Sequence, residues 1–317
     1  MIGYIVRRLM LAIVVLLGVT VISFVLMNLV ASGPQLALAI IGPKANPATI
    51  HAFILEYGLN HPLPVRYASF LWQLLHGNLG FSYRLNQSVD SIIAAELPKD
   101  VLLVGSAFVL AVFVAIPIGM TQAIRRNRAF DYTATGVSFV LYSMPSYALG
   151  LLLIAGLSVS THILPPEAPQ ATTIGGIISD PAGLVLPVTT LTLINYALFS
   201  RYVRSSSLDT LANDYIRTAR AKGLSTIFVV YRHVLRNSLI PVTTLIGLSF
   251  PAVITAGLVV EYLFNFPGLG LTYFNAAQNL DYPVELGITI LIGVATVVGN
   301  LLADISYAIL DPRVRYS

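Results

Sequence analysis

The sequence predicts an all-α integral membrane protein: six transmembrane helices, with a helical external segment between the first and second. Three observations carry this. Of 317 residues, 56% are hydrophobic and only 10% are charged, whereas a soluble domain carries about 25% charged residues. A mean hydropathy of +0.81 leaves too little polar surface to cover the two soluble domains that the length alone would suggest. Six stretches hold the ~20 mostly apolar residues needed to cross a bilayer. A collagen, a disordered chain and a cytosolic enzyme are thereby excluded as the main body. The chain has no Cys, which excludes a disulfide framework, a thiolate metal site and a Cys nucleophile.

The predicted spans are 9–31, 100–124, 134–159, 183–200, 239–260 and 286–310. The first is expected to be retained: its apolar run from Leu9 is longer than a signal-peptide core, and Ala31-Ser32-Gly33 is a weak cleavage candidate. Arg7 and Arg8 precede it. Arg125, Arg126 and Arg128 fill the short loop after the second span. Arg201, Arg204, Arg217, Arg220, Lys222, Arg232 and Arg236 follow the fourth, and Arg313 and Arg315 close the chain. Fourteen of the 18 Lys and Arg residues thus fall on one side. Lys44, Arg66, Arg84 and Lys99 lie opposite, all in the loop after the first span. By the positive-inside rule both termini are cytoplasmic. The organisation expected is an N-terminal helix 1–31, an external segment 32–99, a core 100–310 carrying a cytoplasmic loop 201–238, and a tail 311–317.

The external segment reads as short amphipathic helices. Ile50, Phe53, Ile54 and Tyr57 follow Asn46-Pro47 at helical spacing, with Gly58 as a stop. Tyr67, Phe70, Leu71, Leu74 and Leu75 repeat the pattern after Pro62 and Pro64. Ile92, Ile93 and Leu97 suggest a third helix ending before Pro98. The segment is either a lid that packs the bundle or a docking surface for an extracytoplasmic partner.

The cytoplasmic loop is more specific. Asn213 or Asp214 can cap a helix start, Leu211, Tyr215 and Ala219 recur four apart, and Gly223 follows Lys222 where a left-handed helix end favours Gly. Ser225 can cap a second helix, on which Ile227, Val230, Tyr231, Val234 and Leu235 form one apolar face. Pro241 stands at the start of the next span, a position it tolerates. A helix–Gly–helix elbow results. It is a passive connector, a DNA-reading helix-turn-helix, or a lever seated in a cytoplasmic partner. Tethering to the bilayer at both ends argues against nucleic acid.

At this point the residues carry a resemblance. Asp214-Tyr215-Ile216-Arg217-Thr218-Ala219-Arg220-Ala221-Lys222-Gly223-Leu224, followed by Arg232-His233-Val234-Leu235-Arg236-Asn237-Ser238-Leu239-Ile240-Pro241, resembles the EAA loop of ABC importer permeases, in the form of the dipeptide, oligopeptide and nickel branch. His61-Pro62-Leu63-Pro64-Val65-Arg66-Tyr67, Gly77-Asn78-Leu79-Gly80, Phe266-Pro267-Gly268-Leu269-Gly270, Asp281-Tyr282-Pro283 and Leu310-Asp311-Pro312-Arg313 are similar to further parts of that branch. Two places depart from it: Ser32-Gly33-Pro34-Gln35 lacks the branch's acidic residue, and Asn78 replaces an Asp.

The resemblance implies the type I importer permease fold, in the cytoplasmic membrane of a bacterium or archaeon. It implies a second permease subunit, two cytoplasmic ATPase subunits that bind ATP and Mg, and an extracytoplasmic binding protein that delivers peptide. Nickel chelate, heme and glutathione are alternative substrates of the same pattern. No cofactor or metal is expected in this chain. It has no Gly-x-x-x-x-Gly-Lys-Ser/Thr loop, so it is not expected to be an enzyme.

The implied ATPase-coupling residues are Asp214, Tyr215, Thr218, Ala219, Arg220, Lys222, Gly223 and Leu224. Ser138, Tyr142, Ser146, Asn195, Tyr196, Thr243, Thr244 and Ser249 are polar at membrane depth and either line a pathway or bond to neighbouring helices. Tyr67, Trp72, Asn78 and Leu79 are the docking candidates. An ion-coupled transporter is the rival reading. It would need ionisable groups in its spans, and Asp304 is the one candidate. An intramembrane enzyme lacks both a His-Glu-x-x-His and a Gly-x-Ser-x-Gly motif.

Overall fold

The computed structural model describes residues 2–30, 33–41, 45–56 and 58–310. The tail 311–317, with Arg313 and Arg315, and Ser32, Lys44 and Tyr57 lie outside the described residues, as do the side chains of Thr244, Ser249 and Asp304. The chain forms two compact units. One comprises the chain up to Lys99 with Pro267–Val298; the other comprises Asp100–Phe266 with the chain from Gly299.

In the first unit, α1 (Ile2–Val30) is followed by the short helices α2 (Gly33–Ile41), α3 (Pro47–Glu56) and α4 (Leu63–Leu75). The apolar stripe of α4 packs on α1: Phe24 stacks on Phe70 with centroids 5.4 Å apart and meets the edge of Tyr67 at 5.5 Å. The Tyr67 hydroxyl shares a 2.9 Å hydrogen bond with Thr20. A two-residue antiparallel hairpin, β1 (Phe81–Ser82) with β2 (Gln87–Ser88), leads into α5 (Val89–Ile124). Val89, Ile92 and Ile93 pack against α13 (Leu269–Gln278) and α14 (Tyr282–Leu310) through Leu269, Ala276, Val284 and Ile288. The helix expected to end before Pro98 instead continues through it. Burial of that apolar face outweighs the one backbone bond that Pro98 cannot make.

In the second unit, α6 (Ala129–Ser143) and α7 (Ser146–Leu153), which continues as a π turn Ile154–Val159, replace the straight span expected over 134–159. The two are bent by 110°. Pro145 causes the break. It forces Met144 into an extended conformation (φ −87°, ψ 129°), because its ring excludes the helical region for the preceding residue.

After α8 (Ile174–Ser179), α9 (Pro181–Leu211) runs 31 residues, through Pro187 and well past the limit expected at 200. Next come α10 (Asp214–Ala221), α11 (Thr226–Val229), a π turn Val230–Leu235 and α12 (Arg236–Leu263). The last three are continuous. Pro241 is therefore inside a helix rather than at its start, and the second arm of the elbow is the first part of α12's rod.

The core of this unit gathers Leu103, Ala107, Ile177, Leu186, Leu191, Val260, Phe264 and Phe266. Among the described residues four helical segments are long and apolar enough to cross a membrane: Arg7–Leu29, Val89–Ile124, Pro181–Leu211 and Tyr282–Leu301. The bent α6–α7 pair makes a fifth if it is one broken span.

The packing of α5 on α9 needs a glycine. A Cβ on Gly119 would lie 2.6 Å from the Ser200 carbonyl oxygen and 2.8 Å from Val203 Cβ. Gly119→Val should lower the thermal unfolding temperature of the detergent-purified protein, with an overpacking penalty of about 1–3 kcal/mol. An unchanged melting temperature would mean that the two helices separate freely.

Candidate functional site

The elbow is assembled around one helix stop. α10 ends at Ala221, and Gly223 adopts φ +80°, a conformation Gly reaches without the Cβ penalty. The Leu224 N–H donates to the Ala219 carbonyl at 3.4 Å and the Gly223 N–H to that of Arg220 at 2.9 Å. This is a complete Schellman closure, which satisfies carbonyls that a helix end otherwise orphans. Ser225 caps the next helix, its Oγ accepting from the Phe228 N–H at 3.3 Å.

The other expected cap does not form. Asn213 occupies the cap position of α10 without a side-chain cap bond. Its amide instead donates backwards to the Asp209 and Thr210 carbonyls at 3.1 and 3.3 Å, closing α9. Asp214 is 94% exposed and pairs with Arg217 at 3.4 Å. Its contribution is the modest one of an anion at a helix N-terminus.

Inside the elbow, Ile216 and Ala219 pack with Met120, Val229, Val230 and Val234. Ala219, grouped by the sequence with the coupling residues, therefore faces the core. The apolar face expected from Ile227 to Leu235 divides. Val230 and Val234 are buried, whereas Ile227 and Tyr231 are 73% and 70% exposed. Each pair is spaced four residues apart, so the face divides into two adjacent stripes, one turned to the core and one to solvent. Ile227 and Tyr231 join Tyr215, Leu224 and Phe228 as exposed apolar groups. Thr218, Arg220 and Lys222 are exposed beside them. The sequence reading held Tyr215 and Leu224 among the coupling residues but put Ile227 and Tyr231 on one apolar face with Val230 and Val234, and so missed that they join this exposed tip.

A second feature was also missed. Arg204 grips Asp131 with both arms of its guanidinium: Nε to Oδ1 at 2.6 Å and a terminal nitrogen to Oδ2 at 2.8 Å. Asp131 is nearly fully buried and also accepts from the Asn127 N–H at 3.0 Å. Such a forked, partly desolvated pair is among the stronger polar contacts. Arg201 lies over the rings of Phe139 and Tyr142, at 4.4 and 5.1 Å from their centroids, an attraction to the ring faces. Arg201 and Arg204 were counted with the loop's basic surface, but they fasten α9 to α6. The available signal was the lone Asp131 immediately after three arginines.

Two of the polar groups at membrane depth are engaged in hydrogen bonds within the protein. Ser138 is buried and shares a 3.2 Å hydrogen bond with Ser200. Asn195 donates to the Leu191 carbonyl at 2.8 Å. Tyr196 is buried among Ala111, Ala115 and Phe199. Tyr142 and Thr243 are exposed, and Ser146 is half-buried at the start of α7. Thr244 and Ser249 have no described side chain.

The docking candidates also separate. Trp72 is 66% exposed, with the His76 ring 4.3 Å away. Asn78 is exposed and accepts from the Gly80 N–H at 2.9 Å. Tyr67 faces α1, and Leu79 packs against the core of the first unit. Among the described residues no group of three or more His, Asp or Glu is placed to hold a metal ion.

Comparison with known proteins supplies the class. Residues 115–316 match the family described as binding-protein-dependent transport system inner membrane component, and residues 1–104 match the N-terminal family of such membrane components. The chain belongs to this family of permease components, which are not themselves catalytic. It is 40% identical over 318 residues to the oligopeptide transport system permease protein AppB of Bacillus subtilis (strain 168), covering 100% of both chains. It is 34% identical to the oligopeptide transport system permease protein OppB of Salmonella typhimurium, also over 100% of both. It is 32% identical to the dipeptide transport system permease protein DppB of Escherichia coli (strain K12), over 100% of this chain and 99% of that one.

The Gly223 geometry yields a graded test. A Cβ there would meet nothing within 4 Å, so within this chain the penalty of substitution is conformational. Gly223→Val should lose about 1–3 kcal/mol at this position and with it the retention of ATPase subunits on co-purification. Gly223→Asn, which tolerates the left-handed region, should retain most of it. Equal failure of both would assign the glycine to close approach of a partner instead. Asp214→Ala should change stability by less than about 1 kcal/mol, so any loss of transport it brings reports a partner contact.

Proposed function

We propose that this chain is one of two permease subunits of an ATP-driven importer that takes peptides from an extracytoplasmic binding protein. The observation that carries the reading is the elbow: a rigid, Schellman-closed turn with an exposed apolar tip of Tyr215, Leu224, Ile227, Phe228 and Tyr231 and basic neighbours Arg220 and Lys222. Uncovered apolar groups of this kind suit a partner surface. The family supplies the partner class, two cytoplasmic ATPases that would bind ATP and Mg. The relatives are oligopeptide and dipeptide permeases by name, which supports peptide as the substrate.

In this reading there are six spans, counting α6–α7 as one broken span and α12 as another, with both termini and the elbow cytoplasmic. Residues 32–99 face outward, and Trp72 is the exposed residue most suited to meet the binding protein. The pathway is completed by the second permease. Mechanically, closure of the ATPases would pull on Ile227 and Tyr231 and hence on α12, and through Leu211 and Ile216 on α9.

Two measurements test this. The chain lacks Cys, so Gln73→Cys, exposed on α4, gives a clean topological probe. It should react with an impermeant maleimide from the outside only, and labelling from the cytoplasmic side alone would overturn the orientation. In proteoliposomes holding the assembled transporter, labelled di- and oligopeptides should accumulate only with ATP and binding protein. Trp72→Ala should weaken binding-protein stimulation of ATP hydrolysis while leaving the complex assembled. Peptide uptake that needs neither ATP nor binding protein would reject the reading.

A further inference from the structure

One cavity is lined by none of the elbow residues or the polar groups at membrane depth. It belongs to the first unit, encloses about 270 Å³, and is walled largely by Phe24, Met27, Phe53, Phe70 and Tyr83. That volume is near the lower edge of the ~300–1,000 Å³ usual for ligand sites. Two polar groups in its lining lack partners. The Arg66 guanidinium is half-buried and has no ion pair or hydrogen bond among the described residues. Burial holds its pKa below the ordinary arginine value, with no neighbouring carboxylate to offset the desolvation. Tyr282 is 7% exposed, and its hydroxyl is buried without a hydrogen-bond partner. Leaving such groups unpaired is costly, and both are donors. The cavity thus offers hydrogen-bond donors and positive charge to an oxyanion, inside a wall that favours hydrocarbon.

Its place in the chain narrows the occupant. Phe24, Met27 and Asn28 lie in the last two turns of α1, and Tyr282, Pro283 and Leu286 in the first turns of α14. A 29-residue helix is about 43 Å long at 1.5 Å per residue, which reaches beyond a ~30 Å hydrocarbon core into the headgroup layer. Both helix ends therefore belong at the level of lipid phosphates. In the orientation proposed above these are the outward ends.

We propose that this cavity binds a membrane phospholipid, with its phosphodiester on Arg66 and the Tyr282 hydroxyl and the first methylenes of its chains against Phe24, Met27 and Phe53. The apolar wall favours a lipid over a free phosphate ion, which would gain nothing from it. A bound lipid would tie α4 to the outer ends of two spanning helices.

The proposal rests on the membrane placement, not on the transported substrate, and the two fail separately. Outward labelling of Ala68→Cys, exposed on α4 and outside the cavity lining, supports the placement whether or not lipid is retained. The assembled transporter would be reconstituted in phosphatidylglycerol nanodiscs, extracted into detergent, washed, and its retained phospholipid counted by native mass spectrometry. The wild type should keep one more phospholipid per copy of this chain than Arg66→Gln, with occupancy falling about tenfold, equivalent to about 1.4 kcal/mol. Tyr282→Phe should fall between them. Ser69→Trp, which fills the cavity from its lining without removing the charge, should release the lipid as well. Excess inorganic phosphate should not displace it. Equal retention by the wild type, Arg66→Gln and Ser69→Trp would overturn the proposal. So would displacement by inorganic phosphate, which would make this a small-anion site.

Discussion

In hydrocarbon each peptide N–H and C=O must find its partner within the protein, and the helices of this chain are laid out by that demand. Four prolines show how it is met. Pro98, Pro187 and Pro241 sit inside α5, α9 and α12 and do not end them. Pro145 does end a helix, and hydrogen bonds flank the break on both sides. The Ser143 hydroxyl donates to the Phe139 carbonyl at 2.8 Å, and the Met144 N–H to that of Leu141 at 3.4 Å. Beyond the break, the Leu149 N–H donates to the Pro145 carbonyl at 3.1 Å. The bend made at this break is 110°.

The same demand accounts for most polar side chains within the apolar segments. Thr190 donates to the Leu186 carbonyl, Asn195 to that of Leu191 and Thr121 to that of Pro117. Each bond returns four residues along its own helix, the usual refuge of a hydroxyl or amide with no aqueous partner. Other groups reach across. Ser138 meets Ser200, Thr192 donates to the Ala107 carbonyl at 3.3 Å, and Ser206 to that of Ser238 at 2.8 Å. Among the described residues, Ser138 and Asn195 are thus engaged in helix–helix and within-helix bonding respectively.

This also explains what was legible in the sequence. Gly223 after Lys222 could be read as a helix stop because the requirement is local: one residue must take a positive φ, and the residue type announces it. The stripe on α4 could be read because Tyr67, Phe70 and Leu74 sit on a single short helix. The continuity of α11 with α12 could not, because it depends on the π turn, and nothing in the composition of Val230–Leu235 marks an i→i+5 bond. The Asp131–Arg204 grip was hidden for another reason. Its partners are 73 residues apart, and a charge count assigns both to the aqueous side.

In the proposed reading, transmission through the elbow would depend on that hidden stiffness. A lever works only if its arms resist bending more than the load does. One arm is part of an unbroken helical rod from Thr226 to Leu263. The other, α10, packs Ile216 and Ala219 into the same cluster as Val230 and Val234, so the arms move as one body. The root of α9 is held to α6 by the forked Arg204–Asp131 contact and by Arg201 over two aromatic rings. A push on Ile227 or Tyr231 consequently has few soft joints in which to dissipate. The nearest place for it to act is the pair α9 and α12, which pack along each other and are pinned by Ser206 to the Ser238 carbonyl. In the proposed reading the inward arginines would then belong to the coupling device as much as the exposed basic residues at its tip: the former would fix the fulcrum, and the latter would meet the partner.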